Sequence, residues 1–566
     1  MPAGAATYWW ASQGGGFTLL GNDFADSTES VATVGMYNDL GLNNIIVNHG
    51  ADHYASLNVL TFSNWSGYIG GMWNISGLDL NASGTTAYSI VRASSGSNTN
   101  GIYGGNIRIG QDFTTLATVN GNTKCITQLS STTGRFNDIP TAATTANVLI
   151  DASSPAQTLT VSTTINSLKI DGAYGLDLGG TNLQITSGGL IQSGLANTST
   201  AAGGSGGIYN GTITVGANGA ASCLFLSTYS DLYIGANVQV FNTSSIKNTG
   251  IAKSGTGTLV LAGHLSVTGT VGVTQIYWYE GGLDIETNDN LTLPARTTGS
   301  GQIIMGGTGL VTMSGDARIP NTYSGGTWIK SGTIALTIPN QYNSLATLGS
   351  GAVRVDVGGC LWIQGDQAGY QANAYVLSNV TYANDFTGNG VIRVNTAQSG
   401  TGTRKTLYAL GSAISPGSAG AAGAGVLTIN GNLSMLASGT RYPSLAVDAL
   451  HGTGTASQPI PGTDYDQLAV LGNVTNLANA DLAVNIAAKK NFLGNVLTVL
   501  STGNNLTGQA LHGVSFNGTG FADITVGGTV TSGPGTVALG WVTLSNVSYP
   551  GDANRDGITD MSDYII

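Results

Sequence analysis

The chain is built almost entirely from short apolar or alternating runs, each stopped within a few residues by Gly, Asn, Ser or Asp. "NLQITSG", "GTITVG", "SCLFLST", "DLYIG", "GTLVLAG" and "GQIIMGG" are typical. Alternation rich in Val, Ile, Leu and Thr over so short a span is a strand pattern. The stops are turn chemistry, because Gly and Asn tolerate positive φ and Asn, Asp and Ser cap their own backbone. Helical periodicity is nearly absent. The expected fold class is all-β.

Two architectures suit such a text, a pair of packed sandwiches or a stack of coils. Sandwiches need longer strands joined by more regular hairpins. Here "GTGTLVLAG" from Gly255 returns as "GTGLVTMSG" from Gly307 and as "GAGVLTING" from Gly423. Self-similarity of this kind marks stacked folds, in which each coil buries its apolar face on its neighbours. Glycine, at 86 of 566 residues, fits tight corners, and Asn, Ser and Thr can form ladders without charge. The expectation is a right-handed parallel β-helix. Residues 1–145 carry four of the eight tryptophans and less regular turns, and they read as an irregular aromatic-rich β region or cap. Residues 146–410 read as the solenoid body, 411–548 as closing coils or a second cap, and 549–566 as a separate loop.

Charge narrows the function. Charged residues are 8% of the chain, with 18 basic against 29 acidic and a net charge of −11. No basic face is available to displace counterions, so no nucleic-acid partner is expected. A disordered chain would show low hydrophobicity and high charge, whereas this one is 41% hydrophobic. Cys125, Cys223 and Cys360 are few and far apart, which argues against a disulfide framework and for packed thiols. No apolar run approaches the ~18 residues of a membrane span, so no transmembrane segment is expected. The opening "MPAGAATYWW" shows neither a basic n-region nor an apolar h-region.

The most specific text runs from Asn321 to Gly365. It contains Tyr323-Ser324-Gly325-Gly326-Thr327, then Gly332-Thr333-Ile334, then Leu348-Gly349-Ser350-Gly351-Ala352-Val353. This stretch resembles the autotransporter-associated β-strand repeat of large bacterial surface proteins. Residues 251–365 carry the resemblance, and 414–499 are similar to the closing coils that follow such repeats. The resemblance implies a parallel β-helix body exported to the cell exterior or cell surface, and says little about activity.

The ending "DANRDGITDMSD" has its own chemistry. Asp552, Asn554 and Asp556 hold loop positions one, three and five; Gly557 holds six, Ile558 seven, Asp560 nine and Asp563 twelve. That is the spacing of an EF-hand-type Ca²⁺ loop, in which Ile558 lends its backbone carbonyl and Gly557 permits the turn beneath the ion. Aspartate at position twelve resembles the dockerin-type loop, of which a dockerin carries two; one stands here. The expected cofactor is a structural Ca²⁺ that orders the chain leaving the last coil.

Catalytic candidates are sparse, and no enzyme is expected. Asp464 and Asp466 in "PGTDYDQ" read as turn acids. His49, Asp52 and His53 lie in a glycine-containing stretch with no helical setting and no third metal ligand nearby. Trp278 and Tyr279 in "IYWYEGG" are either an aromatic ladder between coils or a platform for a surface glycan. Sequons such as Asn64, Asn74 and Asn505 follow from a text rich in Asn, Ser and Thr. The sequence therefore points to a rod-like extracellular structural protein: a surface stalk, adhesin or filament subunit capable of head-to-tail self-association. The alternative is a secreted β-helix that binds or cleaves polysaccharide.

Overall fold

A computed structural model describes the chain in segments from Tyr8 to Gly540, leaving out 195–206, 338–347, 365–379, 518–535, 541–566 and shorter stretches. The described residues are strands and turns, with one 3-10 turn at Leu477–Asn479. Parallel ladders dominate, as expected of a β-solenoid. The chain divides into two compact units. One comprises Met1–Gly325 with Thr347–Gly349, the other Gly326–Ala346 with Ser350–Ile566.

In the first unit, residues 8–93 form parallel ladders of their own. Gly16–Leu20, Leu42–Asn48 and Met72–Ser76 pair in sequence, as do Ser27–Val31, Ala55–Val59 and Ser89–Ala93. Ile45, Val47, Leu57, Val59, Ile75 and Val91 close a small core between them. A hairpin then ends this stack. Ile107–Ile109 adds in parallel to Met72–Ser76, Asp112–Val119 pairs with it antiparallel, and Asn122–Gln128 joins antiparallel to Ser89–Ala93. Crossing strands of this kind occupy the backbone groups that an open solenoid end would leave unpaired. Residues 1–145, expected to be irregular, thus hold a short coil stack with its own lid.

The solenoid proper of this unit begins at Arg135–Phe136. One ladder, here the flank stack, includes Asn147–Ile150, Ser167–Asp171, Gly189–Ser193, Leu224–Thr228, Gly250–Ser254 and Gln275–Trp278. A second stack includes Gly207–Tyr209, Leu232–Ile234, Leu259–Leu261, Leu283–Ile285 and Ile303–Met305. A third, from Thr163–Ile165 to Leu265–Thr268, gives three strands per coil. Like residues stack on like. Ile208, Ile234, Leu261, Ile285 and Met305 are successive partners in the second stack, and all are fully buried. Burying each such side chain contributes roughly 1.5–3 kcal/mol before chain entropy is charged. Coil length varies, since Leu232, Leu259, Leu283 and Ile303 are ladder partners at uneven spacing.

The look-alike segments do not hold equivalent positions. Leu259–Leu261 lies in the second stack, whereas Leu310–Met313 lies in the flank stack. What the repeat encodes is a strand with its turns, not a place in the coil.

The second unit is built the same way. Thr327–Ile329, Val353–Val355, Phe386–Gly388 and Ala413–Pro416 follow one another in one ladder, and Gly332–Leu336, Gly359–Gln364 and Val391–Asn395 in another. A third ladder starts at Val380–Tyr382. The antiparallel strand Thr536–Gly540 pairs with Val496–Thr502. Tyr323 is fully buried in the first unit, 5.0 Å from Trp278 between ring centres.

Candidate functional site

Within the first unit, the N-terminal coils and hairpin lie against the outer face of the flank stack, where Arg108, Asp112, Lys169 and Lys253 are buried. Outward-facing residues of an exposed β-helix sheet should alternate with the buried ones. Leu232–Ile234 and Leu259–Leu261 do so. Asn147–Ile150, Leu224–Thr228 and Gly250–Ser254 are buried at every position. Apolar cover comes from Met72 and Leu42 on Cys223, Phe225, Ala252, Tyr277 and Tyr279, and from Ile102, Phe113 and Leu129 on Ile191. Backbones meet where Gly105 faces Gly189. A Cβ on Gly105 would lie 2.4 Å from the Ser187 carbonyl oxygen and 3.0 Å from the Gly189 nitrogen.

The polar part of the junction is centred on Arg108. Its strand, Ile107–Ile109, turns at Gly110 into Asp112, so the side chain leaves the small N-terminal core and enters the flank. Arg108 is 3% exposed. Its guanidinium donates to Ser227 Oγ at 2.6 Å, to Ser254 Oγ, and to Glu280 Oε1 at 3.2 Å. It also lies over the Tyr229 ring, whose hydroxyl donates to the Gly110 carbonyl. Burial outweighs the opposing pull of Arg108 and raises the Tyr229 pKa. A second ion pair joins Lys169 Nζ to Asp112 Oδ2 at 3.2 Å, both side chains nearly buried. A third contact is amide chemistry: Asn147 Nδ2 donates to the Asn100 carbonyl at 2.7 Å, and Asn166 Nδ2 to Asn147 Oδ1 at 2.7 Å.

Lys253 approaches the same corner from inside. Its ladder partners are Leu226 and Trp278, so it stands in a row of core residues and is fully buried. Its ammonium donates to the Glu280 carbonyl at 2.8 Å, the Gly255 carbonyl at 3.0 Å and the Ser254 carbonyl at 3.4 Å. Gly281 has φ +73, and a Cβ there would lie 2.6 Å from Lys253 Nζ. Glu280 Oε1 also accepts from the Gly255 N–H at 2.7 Å. Burial lowers the Lys253 pKa to about 7 against the opposing pull of Glu280, and Arg108 adds to the lowering. Lys253 is fully buried among three carbonyls, an arrangement that ties the corner of the coil together.

The residues singled out in the sequence fall elsewhere. Asp552, Asn554, Asp556, Ile558, Asp560 and Asp563 lie outside the described residues, as do Asp52 and His53. His49 faces Asp79, with Nε2 3.2 Å from Oδ2. Trp278 and Tyr279 are 1% and 2% exposed, so they pack between coils and under the N-terminal cover rather than offering a sugar platform. Asp464 Oδ2 accepts from the Ile460 N–H at 2.7 Å within its own turn. Asp466 is buried, and its oxygens accept from Gly425 N at 2.7 Å and Asp448 N at 2.8 Å. Burial raises the Asp466 pKa to about 7, opposed by those two backbone hydrogen bonds. Cys125, Cys223 and Cys360 are free, buried thiols whose pKa values burial raises.

Sequence reading missed Arg108, Lys253 and Glu280. A signal was present in "GIAKSGTG", where a lysine takes the place of the expected apolar residue in an otherwise strand-like run. Compared with protein-family models and with curated proteins, the sequence matches none.

Proposed function

We propose that the protein is an extracellular structural β-solenoid, serving as a surface stalk, adhesin or self-assembling filament subunit, with Ca²⁺ held by the loop from Asp552 to Asp563. The observation that supports this reading most is where the unusual side chains go. The aromatic pair Trp278 and Tyr279, the ionisable cluster of Arg108, Lys253 and Glu280, and Asp466 are all spent on internal contacts. The autotransporter-associated resemblance and the low charge support a site of action outside the cell. A glycan-binding or glycan-cleaving role has lost its landmark with the burial of Trp278.

Negative-stain electron microscopy of the purified chain, in Ca²⁺ and then in excess chelator, tests the proposal. Ordered fibres or uniform rods in Ca²⁺, with fibres shortening in chelator, are expected of a structural subunit. Compact particles under both conditions, together with turnover or tight binding of a polysaccharide, would rule it out.

A further inference from the structure

The junction described above brings two cations into one desolvated corner. Arg108 enters it from the N-terminal hairpin and Lys253 from the solenoid core, and both converge on Glu280, one at its carboxylate and the other at its carbonyl. We propose that this junction is a proton-linked latch: the N-terminal coils and hairpin seat more tightly on the solenoid flank when the Lys253 amine is neutral, and loosen when it takes a proton.

The argument begins with which group can yield. A guanidinium keeps its proton in proteins, whereas a buried lysine readily gives its proton up. Lys253 is held in the core by the solenoid's own ladder, between Leu226 and Trp278, so it cannot swing away to relieve the repulsion. Arg108 belongs to a hairpin that reaches the corner only by seating on the flank. The charged groups acting on Lys253 are Glu280 and Asp231, which favour its proton, and Arg108, which opposes it. Tyr229 lies beneath the guanidinium, and its hydroxyl donates to Gly110 on the hairpin. Linkage is reciprocal: if a seated Arg108 makes the proton on Lys253 less favourable, that proton makes the seat of Arg108 less favourable by the same factor. The direction agrees with the cluster's electrostatics, since burial has already brought the lysine to about 7. The Lys169–Asp112 pair and the packing of Phe113 on Ile191 hold the hairpin near the flank in either state, so the change is a local opening rather than release.

Amide hydrogen exchange on the whole chain at pH 6, 7.5 and 9, corrected for the intrinsic pH dependence of exchange, tests the latch. Protection across Ile107–Ile109 and Asp112–Val119 should rise by at least about fivefold from pH 6 to 9, the lower end for coupled sites. Asn237–Phe241 in the third stack serves as the internal control and should not follow. Lys253→Met should flatten the profile at high protection, and Lys253→Arg should flatten it at low protection. Arg108→Met leaves the solenoid core intact and should also remove the pH response, which keeps the test informative if the Lys253 variants fail to fold. A flat wild-type profile, or an unchanged pH response in Arg108→Met, overturns the proposal.

Discussion

Two ladders of the same coils in the first unit have different fates. In the second stack, Tyr233 and Val260 look outward and remain partly exposed, while Leu232, Ile234, Leu259 and Leu261 are buried. In the flank stack of the same coils, Phe225, Ser227, Ala252 and Ser254 look outward and are buried under the N-terminal coils and hairpin. Strand geometry is common to both, so what differs is the cover. A covered parallel sheet can carry Ser, Lys and Cys on its outer face only where each meets a partner, because an unpaired buried polar group costs about 1–3 kcal/mol. The flank stack meets this demand with Arg108 and Asp112, whereas Tyr233 and Val260 of the second stack stay partly open to solvent.

The strongest way to break the difference is to pry the cover off. Gly105→Val sets a side chain against the Ser187 carbonyl, where even a Cβ would sit at 2.4 Å, and backbone atoms cannot give way there. A loss of about 3 kcal/mol or more is expected, read as an early thermal transition and as lost protection over the hairpin. Gly121→Ala is the control. Gly121 has φ +75 but open space around it, so only backbone strain of about 1 kcal/mol should appear.

A second comparison sets Lys253 against Asp466 in the other unit. Lys253 has its pKa lowered from 10.5 to about 7, so the folded state favours the neutral amine. Its stabilising contribution is present above the unfolded pKa and is lost as pH falls through about 7. Asp466 has its pKa raised from 3.8 to about 7, so its contribution is present below the unfolded pKa and is lost as pH rises through about 7. Between pH 4 and 8, exchange protection of Val426–Asn430, next to Asp466, should therefore fall with pH, whereas the hairpin around Arg108 should gain protection above pH 6. Asp466→Asn should remove the pH response at Val426–Asn430. It should also cost about 1–3 kcal/mol, because an amide nitrogen would face a backbone N–H that now meets an oxygen. A pH response that survives the substitution assigns it to another group.

The smallest expected effect lies on the exposed side. His264 Nδ1 is 2.5 Å from Asp289 Oδ1, but the imidazole is 62% exposed, and Asp289 keeps its bond from the Leu265 N–H at 2.7 Å. His264→Ala should change stability by less than about 1 kcal/mol in a denaturant melt, and less again at high salt. A larger loss would show that the bare face depends on partnered charge as the covered face does.

Much of this fold was legible before any coordinates. The runs "DLYIG" and "GTLVLAG" predict strands with apolar positions inward, and Leu232, Ile234, Leu259 and Leu261 lie there. Glycine at Gly255 and Gly281 predicts tight corners, and both have positive φ. The junction was not legible, because the partners of Arg108 lie 119, 146 and 172 residues away and no local pattern records them. Trp278 read equally well as a ladder residue or a sugar platform, since alternation gives the face of a residue but not what covers that face. The proposed Ca²⁺ loop, with Asp552, Asn554, Asp556, Ile558, Asp560 and Asp563, lies outside the described residues, and the proposal stands on its spacing alone.

By itself, the sequence determined the strand, the turn and the tendency of like to stack on like, because these follow from period-2 alternation and from which residues tolerate a corner. Tertiary structure decided which sheet would be covered, and therefore which polar residues would need partners. That choice depends on the N-terminal coils and hairpin reaching across to the flank, where Gly105 can approach Gly189 and Arg108 can find Glu280. Local chemistry sets the form of each coil, whereas desolvation, which acts only once distant surfaces meet, sets the protonation and pairing of what lies between them.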